Sequence, residues 1–295
     1  MKSPLNKRLF RELRGEFGKY LVIFILMTLT IGMVSGFLVA DGSMIQAYKE
    51  SFEKYNIENG HFRTEKKMNN AQIQDIEDLG IKLYENYYVE EALTNGSTMR
   101  IFKNRDEVNK VCLMKGKMPE KPGEIGIDRM YADNNDLSVG DEIESGGYTW
   151  KITGLVALSD YSALFSNNND SMFDSVKFGV SVVCPEEFDS YKADQLNYSY
   201  AWKYNTEPKN EKAEKDISED LMEDVAKEVT LEEFVPRYTN QAIIFTGDDM
   251  GGDRSMMIVL LYILIAIMAF VFAVTTNNTI VKEAAVIGTL RASGY

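Results

Sequence analysis

The sequence predicts an α+β exterior domain between two transmembrane α-helices. Three observations predict it. Two long apolar stretches carry no charge, net charge changes sign between them and their flanks, and the intervening region mixes period-two and helical apolar patterns.

Tyr20–Ala40 and Met256–Val274 are uncharged and, at ~1.5 Å rise per residue, long enough for a ~30 Å hydrocarbon core. A buried helix of such length in a water-soluble protein would show a polar face. Residues 1–40 carry a net charge of +4 through Lys2, Lys7, Arg8, Arg11, Arg14 and Lys19 against Glu12 and Glu16. By the positive-inside rule the N-terminus is cytoplasmic, and the chain returns to the cytoplasm at Lys282. The expected organisation is a cytoplasmic segment 1–19, a first span 20–40, an exterior domain 41–254, a second span 255–279 and a cytoplasmic element 280–295. A cleaved signal peptide is the competing reading of the first span. Its apolar run exceeds the usual ~7–15 residues, and no small-x-small site precedes Asp41, which favours an anchor. Gly32 and Gly36 form a small-xxx-small pair suited to a close helix–helix approach.

Residues 255–295 carry +1, so of the total of −13 the exterior residues 41–254 hold −18. A domain this acidic repels nucleic acid and anionic headgroups. Gly42–Tyr55, with Ile45, Tyr48, Phe52 and Tyr55 at helical spacing, continues the first span outward as a stalk. Strands are expected at Gly60–Thr64, within Lys82–Ala92, and at Thr98–Phe102, Val108–Lys115, Glu124–Asp128, Val139–Ile143, Tyr148–Val156, Phe178–Val183 and Tyr198–Tyr204. Ser145-Gly146-Gly147 signals a hairpin. Helices are expected at Asn70–Leu79, Arg129–Asn135, Glu186–Tyr191 and Asn210–Phe234, the last with Ile217, Leu221, Val225 and Val229 on one face. Gln241–Phe245 reads as a final strand, and Gly247–Asp253 as a flexible linker.

Catalytic chemistry is hard to assemble from these residues. His61 is the single histidine and reads as a surface residue, since acid–base and metal sites need partners. There is no phosphate-loop motif, no Gly-x-Ser-x-Gly and no His-Glu-x-x-His. The runs Asp133–Asp136, Asn167–Asp170 and Asp248-Asp249 lack the register of a calcium loop and read as solvated turns. Cys112 and Cys184 read as small buried hydrophobes in strand-like runs, and any pairing between them cannot be taken from sequence.

Two regions resemble the permease subunits of bacterial ABC transporters of the MacB/FtsX/LolC type. The first comprises Leu113-Met-Lys-Gly-Lys-Met-Pro119, Glu124-Ile-Gly-Ile-Asp128, Leu137-Ser-Val-Gly-Asp141 and Trp150–Val156. It is similar to that family's MacB-like periplasmic core domain, with Lys117 where Arg is commoner. The second is Ile287-Gly-Thr-Leu-Arg-Ala-Ser-Gly294, similar to the family segment that follows the second span. Val286 stands where the family usually has Glu, and Glu283 lies one turn earlier.

The resemblance implies a coupling element made of Glu283, Ile287, Gly288, Leu290, Arg291 and Gly294, pressed on a separate ABC ATPase subunit. It implies no cofactor in this chain, with ATP and magnesium on the partner. It also implies a second permease half or a homodimer partner, and further spans after Tyr295. Motion of the exterior domain for export or extraction of a peptide, antibiotic or lipid-linked substrate is the expected output. Regulation of a cell-wall hydrolase is an alternative in the same architecture. A membrane-anchored sensor is an alternative of another class, and its usual long signalling coiled coil is unlike the glycine-containing tail.

Overall fold

A computed structural model of the protein describes residues 14–292. In chain order its elements are helix α1 (Phe17–Lys54), strand β1 (Gly60–Thr64), helix α2 (Asn70–Glu77), and strands β2 (Ile81–Glu85), β3 (Tyr88–Ala92), β4 (Thr98–Lys103), β5 (Val111–Gly116) and β6 (Glu124–Asp128). Then come helix α3 (Arg129–Asn134), strands β7 (Glu142–Ser145), β8 (Tyr148–Leu158) and β9 (Phe178–Val183), helix α4 (Pro185–Phe188), strand β10 (Tyr198–Tyr204), helix α5 (Glu211–Glu228), strand β11 (Leu231–Pro236) and helix α6 (Gln241–Ala292). The fold is α+β, flanked by two apolar helices.

The chain divides into two compact units, one of Ala47–Asp248 and one of the described residues up to Gln46 with those from Asp249. Helices α1 and α6 contribute to both. In the helical unit both helices are long and apolar enough to cross a membrane. Leu29 is 66% exposed and Phe270 70% exposed, a degree of apolar exposure that lipid tolerates and water does not.

The larger unit contains two sheets. One has the order β11-β1-β10-β2 and is antiparallel throughout. The other runs β3-β4-β9-β6-β8-β5, with β7 also paired to β8. In it β4 pairs with β9, and β6 with β8, in parallel. Strands β6 and β9 are buried along their whole length, which is why their sequences are apolar runs without alternation. The core is built around Phe62, Trp202, Ile101, Ile125, Ile152 and Val182. The β7–β8 hairpin turns at Gly146 and Gly147, with φ of 55° and 85°. Two positive φ values in succession are what a two-residue primed turn requires.

Several expectations need correction. The strand expected over Lys82–Ala92 is two strands in different sheets, parted at Asn86-Tyr87. The strand expected at Val139–Ile143 begins at Glu142, after a turn in which the Asp141 carboxylate accepts from the Ser138 amide. The helix expected over Asn210–Phe234 ends at Glu228. Its apolar face is real, since Leu221 and Val225 are buried, but Val229 is already extended. The residues that follow form β11, whose Phe234 stacks on Trp202 at 4.7 Å. Their β-branched and aromatic side chains gain more from pairing with β1 than from another helical turn.

The expected strand at Gln241–Phe245 and the linker after it are the first turns of α6. The Asn240 side chain accepts from the Ala242 amide and starts the helix. Gly247, which suggested a loop, is helical, and the Tyr48 ring lies 2.5 Å from where its Cβ would stand. There glycine serves close helix approach rather than flexibility.

Asp128 caps α3 by accepting from the Met130 and Tyr131 amides. Burial pushes its carboxyl up to about 6, against those two bonds. Because the folded state then holds a proton the unfolded state has released, stability falls as pH rises from about 4 to about 6. Asp128→Asn keeps a good cap without the charge. It is expected to flatten that segment of the melting-temperature profile and to raise the neutral-pH melting temperature. Thermal scans across the same pH range check both.

Candidate functional site

The tail residues singled out in the sequence belong to α6, which runs without a break from the apolar stretch to Ala292. The expected separate element after the span is therefore the end of one helix. At 100° per residue, Glu283, Ile287 and Arg291 fall on one face, while Gly288 falls off it. Ile287 and Arg291 are exposed and Glu283 is half-buried. Gly294 lies outside the described residues.

Two sets of polar contacts join α1, with Glu16 just before it, to α6 within the helical unit. Near the tail, Lys282 Nζ meets Glu16 Oε1 at 3.1 Å, and Lys19 Nζ reaches Thr279 Oγ1 at 3.2 Å. Toward the opposite ends, Arg254 Nη1 lies 3.7 Å from Asp41 Oδ2. The buried side of α1 carries Thr30, Val34 and Asp41. Gly32 and Gly36 sit off that side, with nothing within 4 Å of where a Cβ would stand. These contacts lie at the two edges of the apolar stretches, and among the described residues no helix packs on the glycine pair.

In the larger unit a cavity of 510 Å³ is lined by residues of both sheets, among them His61, Arg63, Tyr88, Arg100 and Asp160. Its charges are largely satisfied from within the fold. Glu58 is 1% exposed; one carboxylate oxygen meets His61 Nδ1 at 2.6 Å and the other accepts from Asn109 Nδ2 at 2.6 Å. Arg105 donates to both oxygens of Asp160 at 2.7 Å and to Asn86 Oδ1 at 2.8 Å. Arg100 lies over the Tyr88 ring at 4.4 Å and donates to Glu90, the Tyr161 hydroxyl and the Ser166 carbonyl. Burial raises the Tyr161 hydroxyl. Among the described residues no group of three or more His, Cys, Asp or Glu is placed to hold a metal ion. Such an arrangement is a charged joint within the fold rather than an exposed set of acid, base and nucleophile.

His61 is therefore half-buried and bonded to a buried carboxylate, not the unpartnered surface residue its sequence suggested. Glu58 lies three positions before it, the one local signal available, while Asn109 and Asp160 arrive from distant segments. Cys184 is buried as expected, Cys112 is half-buried on β5, and both are free thiols. Of the acidic turns, Asn167–Asp170 has a structural role. Asn168 Oδ1 accepts from the Gln241 amide at 2.8 Å, and Gln241 Nε2 donates to the carbonyl of Asp170 at 3.0 Å, fastening the start of α6.

No family model matches the chain, and no curated protein does. Among solved structures, its fold is similar to the periplasmic region of MacB from Actinobacillus actinomycetemcomitans, at 11% identity and a TM-score of 0.32, covering 58% of this chain and 85% of that one. It is also similar to the extracellular domain of the ABC-type transporter YknZ from Gram-positive bacteria, at 11% identity and a TM-score of 0.29, covering 59% and 98%.

Proposed function

We propose that the chain is the permease subunit of an ABC transporter, in which a separate ATPase drives movement of an exterior domain for export or extraction of a substrate. The observation that carries this reading is the order of its parts. An apolar helix, an α+β unit with the Gly116-Lys-Met-Pro119 and Val139-Gly-Asp141 turns, and a second apolar helix are followed by the Ile287–Gly294 motif. The basic N-terminal flank supports a cytoplasmic position for both chain ends.

In this reading the exposed face of the α6 tail meets the ATPase. The chain itself performs no covalent chemistry; nucleotide and magnesium belong to the partner. Both apolar helices extend into residues of the α+β unit, α1 as far as Lys54 and α6 from Gln241.

Detergent-solubilised full-length protein is expected to retain an ATP-binding subunit with a phosphate loop and to stimulate its magnesium-dependent ATP hydrolysis. Leu290→Asp places a charge on the proposed contact face. It is expected to weaken retention about tenfold, equivalent to about 1.4 kcal/mol. Equal retention by the wild type and this variant, or none by the wild type, would remove the coupling role.

A further inference from the structure

We propose that His61 is a proton-operated latch, which when protonated clamps Glu58 and keeps the end of α1 seated on the α+β unit. The latch lies entirely within Ala47–Asp248 and does not depend on the transporter reading.

The seat begins where α1 stops. Asn56, at φ 48°, takes the left-handed position of a helix-ending motif in which the Ile57 amide bonds the Phe52 carbonyl at 2.9 Å. The next residues are pinned to a distant turn. The Asn109 amide bonds the Asn56 carbonyl at 3.1 Å, the Lys110 amide bonds the Tyr55 carbonyl at 2.9 Å, and the Glu58 amide bonds Asn109 Oδ1 at 2.8 Å. Asn109 is itself left-handed, at φ 49°. Two non-glycine residues in this conformation persist because their surroundings over-determine them. Glu58 completes the ring of contacts by accepting from Asn109 Nδ2.

That carboxylate is buried, so its charge needs a partner. Among the described residues, His61 is the group in ion-pair contact with it, at 2.6 Å. The surrounding charges are otherwise committed. Arg105 is bidentate to Asp160, Arg63 reaches Glu232 and Glu233, and Lys203 donates to the Ile57 carbonyl and lies 3.5 Å from Glu207. A neutral His61 can keep a hydrogen bond to Glu58 but supplies no charge. It would leave the Glu58 charge facing the Asp160 carboxylate, with only the more distant pull of Arg105, which Asp160 already holds.

The direction of titration follows. Burial opposes the charged imidazole, yet Glu58, through its charge and its hydrogen bond, together with Glu233 and Asp160 offsets it and holds His61 above its ordinary value. Burial likewise opposes the Glu58 charge, and His61 with Asn109 holds that carboxyl below its ordinary value. The stabilisation from His61 is thus fully present below about 6.5 and is lost as pH rises through the imidazole's own raised midpoint. Loss of the Glu58 contribution lies on the far acid side. The latch opens upward in pH.

A chain with one histidine permits a clean test. In full-length protein in detergent micelles, labelled at histidine, the single imidazole signal is expected to titrate above about 6.5, and its midpoint to fall in Glu58→Gln. Amide hydrogen exchange at Glu58 and Lys110, corrected for intrinsic rates, is expected to accelerate as pH rises through the imidazole midpoint in the wild type and to stay flat in His61→Gln. Each unit of midpoint displacement corresponds to a tenfold preference for the seated state. A wild-type midpoint at or below that of free histidine overturns the latch without need of any variant. So does a protection profile in His61→Gln that follows the wild type.

Discussion

Asp160→Ala is expected to destabilise the α+β unit by about 3–5 kcal/mol. Asp160 and Arg105 are 5% and 7% exposed, and the guanidinium meets both carboxylate oxygens. Removing the carboxylate leaves the guanidinium buried, with Asn86 as its remaining side-chain acceptor. The loss therefore measures an uncompensated charge more than the worth of the pair. Replacing both members, Arg105→Met with Asp160→Leu, should recover most of the loss, because the desolvation of both ions disappears as well. Denaturant midpoints of the full-length protein at neutral pH read both variants. A shift below about 1 kcal/mol for Asp160→Ala would mean that water reaches the pair.

Trp202→Ala is the second substitution of comparable size, at about 3–5 kcal/mol. Trp202 is fully buried in the middle of β10, stacked on Phe234 of β11 and 6.2 Å from Phe62 of β1. Truncation removes the side chain that joins three strands of the smaller sheet, and the strand backbones, held by their ladders, cannot collapse into the space. The chain has two tryptophans, so the variant leaves Trp150 as its sole reporter. Trp150 is buried in the other sheet, with its indole donating to Glu187. If the two sheets unfold together, Trp150 emission red-shifts at the lowered midpoint. An unchanged Trp150 transition alongside loss of far-ultraviolet signal would show that the sheets unfold separately. Trp202→Phe keeps a ring on Phe234 and should lose substantially less.

Much of the fold was legible because its signals are local. Gly60–Thr64, Glu124–Asp128, Phe178–Val183 and Tyr198–Tyr204 are strands with the bounds their residue patterns suggest. Their β-branched and aromatic content agrees with the burial they reach. The continuation of the first helix past Ala40 was legible for the same reason, through Tyr48 and Phe52 at helical spacing. Failures cluster between Val229 and Asp253. There a helical repeat runs into residues that pair with β1, and a glycine-rich segment is helical, with Gly247 packed against Tyr48. Both outcomes depend on a neighbour far away in sequence.

The candidate sites divide in the same way. The tail was singled out from its residues alone, and its helical form adds only that Glu283, Ile287 and Arg291 share a face. The joint at Glu58 and His61 was not found, because its partners lie 51 residues away at Asn109 and further on at Asp160. A carboxylate and an imidazole three residues apart are common on any surface.

The sequence by itself determined two apolar helices of membrane-spanning length, a basic flank, an acidic α+β region and the positions of most strands. Each of these is a sum over neighbouring residues, so no partner is needed to read it. Only the tertiary structure decided that Leu231–Pro236 pairs rather than coils, that α6 begins at Gln241, and that His61 meets a buried carboxylate. Those depend on which distant groups share a low-dielectric interior, and burial there changes both the conformational preference of a segment and the protonation of a side chain.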